Sequence, residues 1–331
     1  MMNFFYGKKI MYHARRLGID FISSVSKNEW PLKDRPGKRI VLYHGVDRIG
    51  QTYINGRFVS ADVFERQLDF FKSNYNLVSL SDLISGKTDP NRMNIAIVFD
   101  DGYRNNLETA LPILEKKQIH ATFFVTAIND TSYPMLWADY LDLASYVNTS
   151  EIVVGEIDFK KQNGIYKNAF GMSLKDICKT KDWAFKSQLY SAFPKGNDFI
   201  QEEKWEVYWK TLSDEEIITL DKSDYATVEL HGYYHENLGV CNHTEAVQLV
   251  RKSKKYLENL LQREIQSIAY PDGSYTKDLI QSCFQMGLKN QFAVDFLFPE
   301  DEIDSRIHSR LTINPFTNIS HQVWAVLNNR Y

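Results

Sequence analysis

Runs of apolar, β-branched and aromatic residues recur along the chain, and each stops abruptly at a polar or glycine-containing turn. Arg39–Val46 (RIVLYHGV), Asn94–Asp100 (NIAIVFD), His120–Thr126 (HATFFVT) and Thr227–His231 (TVELH) are of this kind. Gln266–Tyr270 (QSIAY), Asn290–Asp295 (NQFAVD) and His308–Asn314 (HSRLTIN) follow. Short runs of this composition read as buried strands. Between most of them lie segments of helical period. Ser60–Asn74 opens with Ser60 as N-cap and sets Val63, Gln67, Phe70 and Phe71 on one stripe, and Arg104–Lys117 closes on a basic pair. Thr244–Gln262 aligns Val247, Val250, Leu257 and Leu261, and Thr276–Met286 runs into Gly287, a stop signal. Strand–helix alternation with near-continuous apolar strands predicts an α/β fold built on a parallel sheet covered on both faces. About seven strands favour a (β/α) barrel over an open, doubly wound sheet.

One stretch breaks the rhythm. From Glu151 to about Ser213 the chain turns polar and lysine-rich. Its front half alternates through Ile152, Val154, Ile157 and Phe159 and then carries Asn163–Gly164 before Ile165–Tyr166, a hairpin signal. Its back half, Ser173–Tyr190 and Phe199–Leu212, reads as helices with Ser173 as a cap. The expected organisation is an N-terminal helical segment over 1–38, a barrel over 39–150 and 214–320, and a cap inserted at 151–213 between the third and fourth strands.

Composition changes this picture little. Lys plus Arg total 39 and Asp plus Glu 42, for a net charge of −3, which removes the basic footprint of a nucleic-acid binder. Cys178, Cys241 and Cys283 are odd in number and far apart, without metal spacing, so neither a disulfide framework nor a cysteine metal site is expected. Lys8, Lys9, Arg15 and Arg16 interrupt the N-terminal apolar residues, so no signal peptide is read there, and no run reaches the length of a membrane span. The expected location is cytoplasmic. A basic amphipathic first helix offers either a peripheral membrane contact or a merely solvated face.

The chemistry concentrates at strand ends, where parallel barrels carry their reactive groups. After IAIVF come Asp100, Asp101 and Gly102: two adjacent carboxylates that repel unless a cation neutralises them. One can coordinate a metal while its neighbour reaches a water; the alternative is a helix cap near Arg104. After TVEL come His231 and His235, four residues apart, a weak metal signal alone. With Asp-Asp they make an Asp/His/His set suited to a catalytic divalent cation. Zn²⁺ is the simplest occupant, with Co²⁺, Ni²⁺ and Mn²⁺ as alternatives. After RIVLY comes His44, an imidazole able to protonate a leaving amine, or else a buried histidine tied to backbone. After QSIAY comes Pro271–Asp272–Gly273, where the Asp272 N–H could face an oxyanion, although the triplet is also a common turn. Tyr233, Tyr234, Trp137 and Tyr275 are candidate stacking surfaces for sugar rings.

Together AIVFDDGYRNN, ELHGYYHENL, AYPDGSY and VLYHGV resemble the polysaccharide deacetylase family, carbohydrate esterase family four. The resemblance covers roughly 39–127 and 226–314 and leaves the insert unexplained. It implies a distorted (β/α)7 barrel and metal-dependent removal of N- or O-acetyl groups from a glycan. Asp100 matches the family's general base, Asp101 its metal carboxylate, and His231 and His235 its metal imidazoles. AYPDG, with Tyr270 and Asp272, matches a substrate-groove motif whose backbone amide helps hold the oxyanion. The arginine that opens that motif is replaced by Ala269 or an earlier residue, which leaves Arg310, in SRLTI, as the candidate partner of the base. No late Leu-x-His motif follows Asp272. The early Tyr-His motif of the poly-N-acetylglucosamine deacetylase branch points to His44 as general acid, with His308 as competitor. Two other readings stand beside a deacetylase of N-acetylhexosamine glycans or their precursors: a hydrolase of another acyl amide, and a catalytically silent glycan-binding barrel. A zinc peptidase is disfavoured, because HGYYH lacks the glutamate of HExxH.

Overall fold

The structure is a computed structural model that describes residues 36–329 except 51, 53, 149, 150 and 194–197. The helix expected over 1–38 lies outside the described residues, apart from Pro36 and from Gly37 and Lys38, which begin the first strand.

All seven expected strands form. They are β1 (Gly37–Tyr43), β2 (Met93–Phe99), β3 (Ala121–Val125), β4 (Ala226–Leu230), β5 (Ser267–Ala269), β6 (Asn290–Ala293) and a last strand broken into β7 (Ile307–Ser309) and β8 (Leu311–Thr312). Every pairing among them is parallel, in the order β7-β6-β5-β4-β3-β2-β1-β8. The break matters. β7 pairs with β6 while β8 pairs with β1, so one bent strand holds both edges and draws the sheet into a nearly closed barrel. Arg310 occupies the bend.

Strand alternation divides the side chains between two layers. Val41, Tyr43, Ile95, Ile97, Phe99, Phe123, Val125, Val228, Leu230 and Ile268 join helix residues such as Phe64, Leu68, Leu114, Val250, Leu257 and Leu279 in the larger core. The opposite parity, Ile40, Leu42, Ala96, Val98, Phe124, Ala269 and Phe292, forms a separate cluster inside the barrel. That inner parity, continued past the strand ends, falls on His44, Asp100 and His231.

The helices follow their sequence signals. Ser60 Oγ accepts from the Val63 N–H at the start of α1 (Ala61–Asn74). The 19-residue helix His243–Leu261 is capped by Asn242, and Gly287, at φ +88°, follows Lys277–Gln285. Arg104–Lys117 is helical but carries a π-helical turn at Asn106–Ala110, a distortion common beside functional sites.

The insert holds a three-stranded antiparallel sheet, Ile152–Val154, Ile157–Gln162 and Ile165–Lys167, whose second turn is Asn163–Gly164 with both φ positive. The two helices expected in its back half appear instead as short turns: Leu174–Cys178, Trp183–Lys186, Leu189–Ala192 and Glu203–Glu206. Those segments lack a continuous apolar stripe, and they are pinned one at a time to a second core. Phe159, Tyr166, Leu174, Phe193 and Phe199 pack there with Trp137 and Tyr140. The cap's core therefore reaches back to the helix Trp137–Val147, before the expected boundary at 151.

Candidate active site

Residues just past the strand ends still hydrogen-bond to their neighbours, which fixes the rim of the barrel. Asp100 N donates to Tyr43 O at 3.0 Å, His231 N to Val125 O at 2.8 Å and Tyr270 N to Phe292 O at 2.9 Å. Asp100 keeps strand parity and points inward. Asp101 would point outward, but it adopts φ +75°, and Gly102 follows at +73°. The left-handed turn swings the second carboxylate to the same mouth. A Cβ at Gly102 would lie 2.8 Å from Val125 Cγ1, so the tight turn needs glycine there.

Asp101 Oδ1 stands 3.3 Å from His231 Nε2 and 3.4 Å from His235 Nε2. Among the described residues, Asp101, His231 and His235 are the group of ligand atoms that all lie within 4.8 Å of one another. The histidine spacing is closed by a loop, with His235 at φ +61°, and not by a helical turn. The Glu236 carboxylate braces that loop by accepting from the N–H groups of Tyr233 and Tyr234 at 3.0 and 2.9 Å. His231 Nδ1 lies 2.9 Å from Ala269 O, a contact that leaves Nε2 for the site.

These residues fit a cation. Both Asp101 oxygens are buried and without a hydrogen-bond partner, as is His235 Nδ1. Burial alone would raise the Asp101 carboxyl, yet the close approach of His231 and the charges of His235, His44 and Arg57 hold it well below the usual range. Against the effect of burial, Asp100 and Asp101 draw the His231 imidazole above its ordinary value. A carboxylate and two imidazoles on one point are a divalent-cation donor set, in which cation and proton compete for the same nitrogens.

Arg310 reaches Asp100 with both arms, Nη1 to Oδ1 at 2.6 Å and Nη2 to Oδ2 at 2.9 Å. Burial pushes the Asp100 carboxyl up, and the charge and hydrogen bonds of Arg310 together with the charges of His231 and His44 more than reverse this. His44 lines the same cavity, its backbone carbonyl held by Asn106 Nδ2 at 2.8 Å from the π-helical turn. Burial lowers its imidazole to about 4 against the pull of Asp101 and Asp100, so it is neutral in the resting site. The Pro271–Gly273 turn brings Asp272 to the opposite wall at φ +55°, and its N–H has no acceptor among the described residues. The cavity measures about 330 Å³ and is lined by His44, Asp100, Asp101, His231, His235 and Asp272 with Trp137 and Arg57. A larger cleft of about 550 Å³ near Ser60 and Gln322 holds no comparable cluster among the described residues.

Several expected contacts fall elsewhere. The Tyr270 ring has outer parity, stacks on Tyr275 at 5.2 Å and donates its hydroxyl to Gln291, so the residue borders the cavity without offering its hydroxyl. Tyr275 donates to Asp301, Tyr233 to Asp130, and Tyr234 stacks on Trp183 at 4.1 Å. Of the four stacking candidates, Trp137 alone lines the cavity. His308 sits on β7, at the far end of the strand from the rim, beside Lys38 and Asp304.

Other groups escaped the sequence reading. Arg57 lies 3.8 Å from Asp101 Oδ2 and is anchored by Asp139, which also accepts from Tyr103 Oη at 3.0 Å. Lys175 and Lys179 reach the cavity from the cap, Lys175 paired with Asp142 at 2.6 Å. Glu236 had a signal, a carboxylate directly after HGYYH; loop residue Arg57 and the cap lysines had none.

The family model for polysaccharide deacetylase matches residues 87–153 and 190–291, leaving 154–189, much of the cap, unmatched. No curated protein matches the sequence. Among solved structures, the Streptococcus pyogenes deacetylase PplD in complex with acetate is similar at 15% identity and a TM-score of 0.56, over 88% of this chain and 99% of that one. IcaB from Ammonifex degensii is similar at 17% identity and a TM-score of 0.54, over 89% and 98%. BC0361, a polysaccharide deacetylase from Bacillus cereus, is similar at 18% identity and 0.53, over 88% and 68%. At these identities the likeness concerns the fold.

Proposed function

Because the chain belongs to the polysaccharide deacetylase family, we propose that it hydrolyses acetyl groups, N-acetyl above all, from an N-acetylhexosamine-containing glycan or its precursor. The observation that carries this reading is the buried Asp101–His231–His235 cluster beside an arginine-clamped Asp100. Asp101, His231 and His235 would hold a divalent cation, which would supply Lewis acidity to an acyl oxygen and acidify water.

The chain's own groups do the rest. Asp100 accepts the proton of the attacking water, each of its oxygens keeping a lone pair free beside its bond to Arg310. Arg310 fixes the carboxylate's plane and keeps it ionised. The Asp272 N–H faces the acyl oxygen as negative charge gathers there; such a donor is typically worth about 3 kcal/mol. His44 delivers a proton to the departing sugar nitrogen. Since it is neutral at rest, it first takes up the proton that Asp100 has removed from the water, and so returns Asp100 to its ionised form.

The test is acetate release from N-acetylglucosamine oligomers, O-acetylated glycans and small cyclic amides, with and without chelator. Metal-dependent release from the oligomers supports the proposal. Turnover confined to the cyclic amides would replace it with the acyl-amide reading, and saccharide binding without acetate would leave a silent barrel.

A further inference from the structure

The cap delivers a buried charge to the catalytic cavity. Lys186, the last residue of the short helix Trp183–Lys186, has no exposed side-chain surface. Its Nζ lies 3.5 Å from Asp272 Oδ2 and 4.7 Å from the centre of the Trp137 ring. An ammonium is rarely taken out of water unless something on the protein requires it there. The segment that carries it is bolted to the site at two further points. Trp183 stacks on Tyr234 of the histidine loop at 4.1 Å, and Asn237 Nδ2 donates to Lys179 O.

Most carboxylates around the cavity face a cation: Asp100 faces Arg310, Asp142 faces Lys175, and Asp139 holds Arg57, which also lies 3.8 Å from Asp101 and 3.7 Å from Asp142. Asp272 has Lys186, and Asp101 lies among the histidines. Asp272 is the delicate case. Its N–H belongs to a turn aimed at the acyl oxygen, so its own carboxylate, if uncompensated, opposes the charge that develops there. We propose that Lys186 is a positioning residue of the active site, supplied by the cap to neutralise Asp272, so that the cap is required for turnover as well as for covering the barrel. This rests on the deacetylase reading for its kinetic readout. Lys186 also falls in the stretch that the family model leaves unmatched.

The experiment compares K186M, D272N and K186M/D272N in the full chain loaded with Zn²⁺. With N-acetylglucosamine oligomers, K186M should lower kcat by about 30-fold while KM moves less than about threefold, and the double variant should return to within about threefold of D272N. A packing role alone predicts no rescue by D272N. In parallel, acetate binding is measured by calorimetry: K186M weakens it, the double variant restores it, and D272N alone tightens it, a comparison that survives if K186M fails to fold. A double variant as slow as K186M, a K186M kcat within about twofold of the unaltered protein, or acetate affinity indifferent to D272N overturns the proposal. If the unaltered protein releases no acetate, the deacetylase reading has failed, and acetate binding alone decides the role of Lys186.

Discussion

Replacing Arg310 with methionine separates the arginine's electrostatic duty from its packing. The guanidinium is fully buried and donates bonds of 2.6 and 2.9 Å to a carboxylate whose side chain is 4% exposed. Removing one partner of such a pair strands the other charge in the interior, at a cost of about 3–5 kcal/mol. For a domain of this size that lowers Tm by about 4–7 °C. Asp100→Asn alone strands the arginine and should cost a comparable amount. The double variant removes both charges and should lie within about 1–2 kcal/mol of the unaltered protein, a coupling well beyond simple addition. Urea unfolding of the four metal-stripped proteins gives the cycle without a contribution from metal binding. Arg310→Lys keeps the charge but not the fork, and should fall between. A double variant as unstable as the sum of the singles would refute the assignment, because the two groups would then not share one desolvated pair.

Asp101→Ala and His231→Ala should lose both Zn²⁺, measured by metal analysis after dialysis, and acetate release. Asp100→Asn should retain Zn²⁺ and lose turnover by about 10²–10⁴-fold; a variant that stays active would remove Asp100 from the role of base. His44→Gln should slow release from N-acetyl glycans yet leave hydrolysis of an aryl acetate, whose leaving group needs no proton, within about threefold; equal losses on both would place His44 outside proton delivery. Burial pushes the Asp139 carboxyl up to about 7, against the pull of Arg57. It therefore holds its proton more tightly folded than unfolded, adding stability at acid pH that fades as pH rises through 7. Asp139→Asn in the metal-free protein should flatten that decline between pH 5 and 8, as followed by thermal melts.

The strands and rim positions were legible because they rest on local physics. A run such as IAIVF cannot stay solvated, and a carboxylate pair at its end cannot stay buried without a cation. Parity also carried information: His44, Asp100 and His231 continue the inward rows of β1, β2 and β4, whereas Tyr270 continues an outward one, which is why its ring is lost to the core. The candidacy of Arg310 came from the absence of an arginine near Ala269, not from any sign that the last strand bends there. Arg57, Lys175, Lys179 and Lys186 were not legible, since each sits in a loop or short turn placed by long-range packing of the cap. The tyrosines misled for the opposite reason. Their hydroxyls find Asp130, Asp301 and Gln291, partners that composition cannot reveal.

The bent last strand also sets a schedule for biosynthesis. Arg310 meets Asp100 across 210 positions of chain, so the buried carboxylate waits for its counterion until the rest of the barrel has left the ribosome. Until then the edges of β1 and β6 stand open, available to pair with the wrong strand, and Asp100 has no guanidinium beside it. Premature termination ahead of Ile307 would thus remove barrel closure and the partner of Asp100 in one stroke.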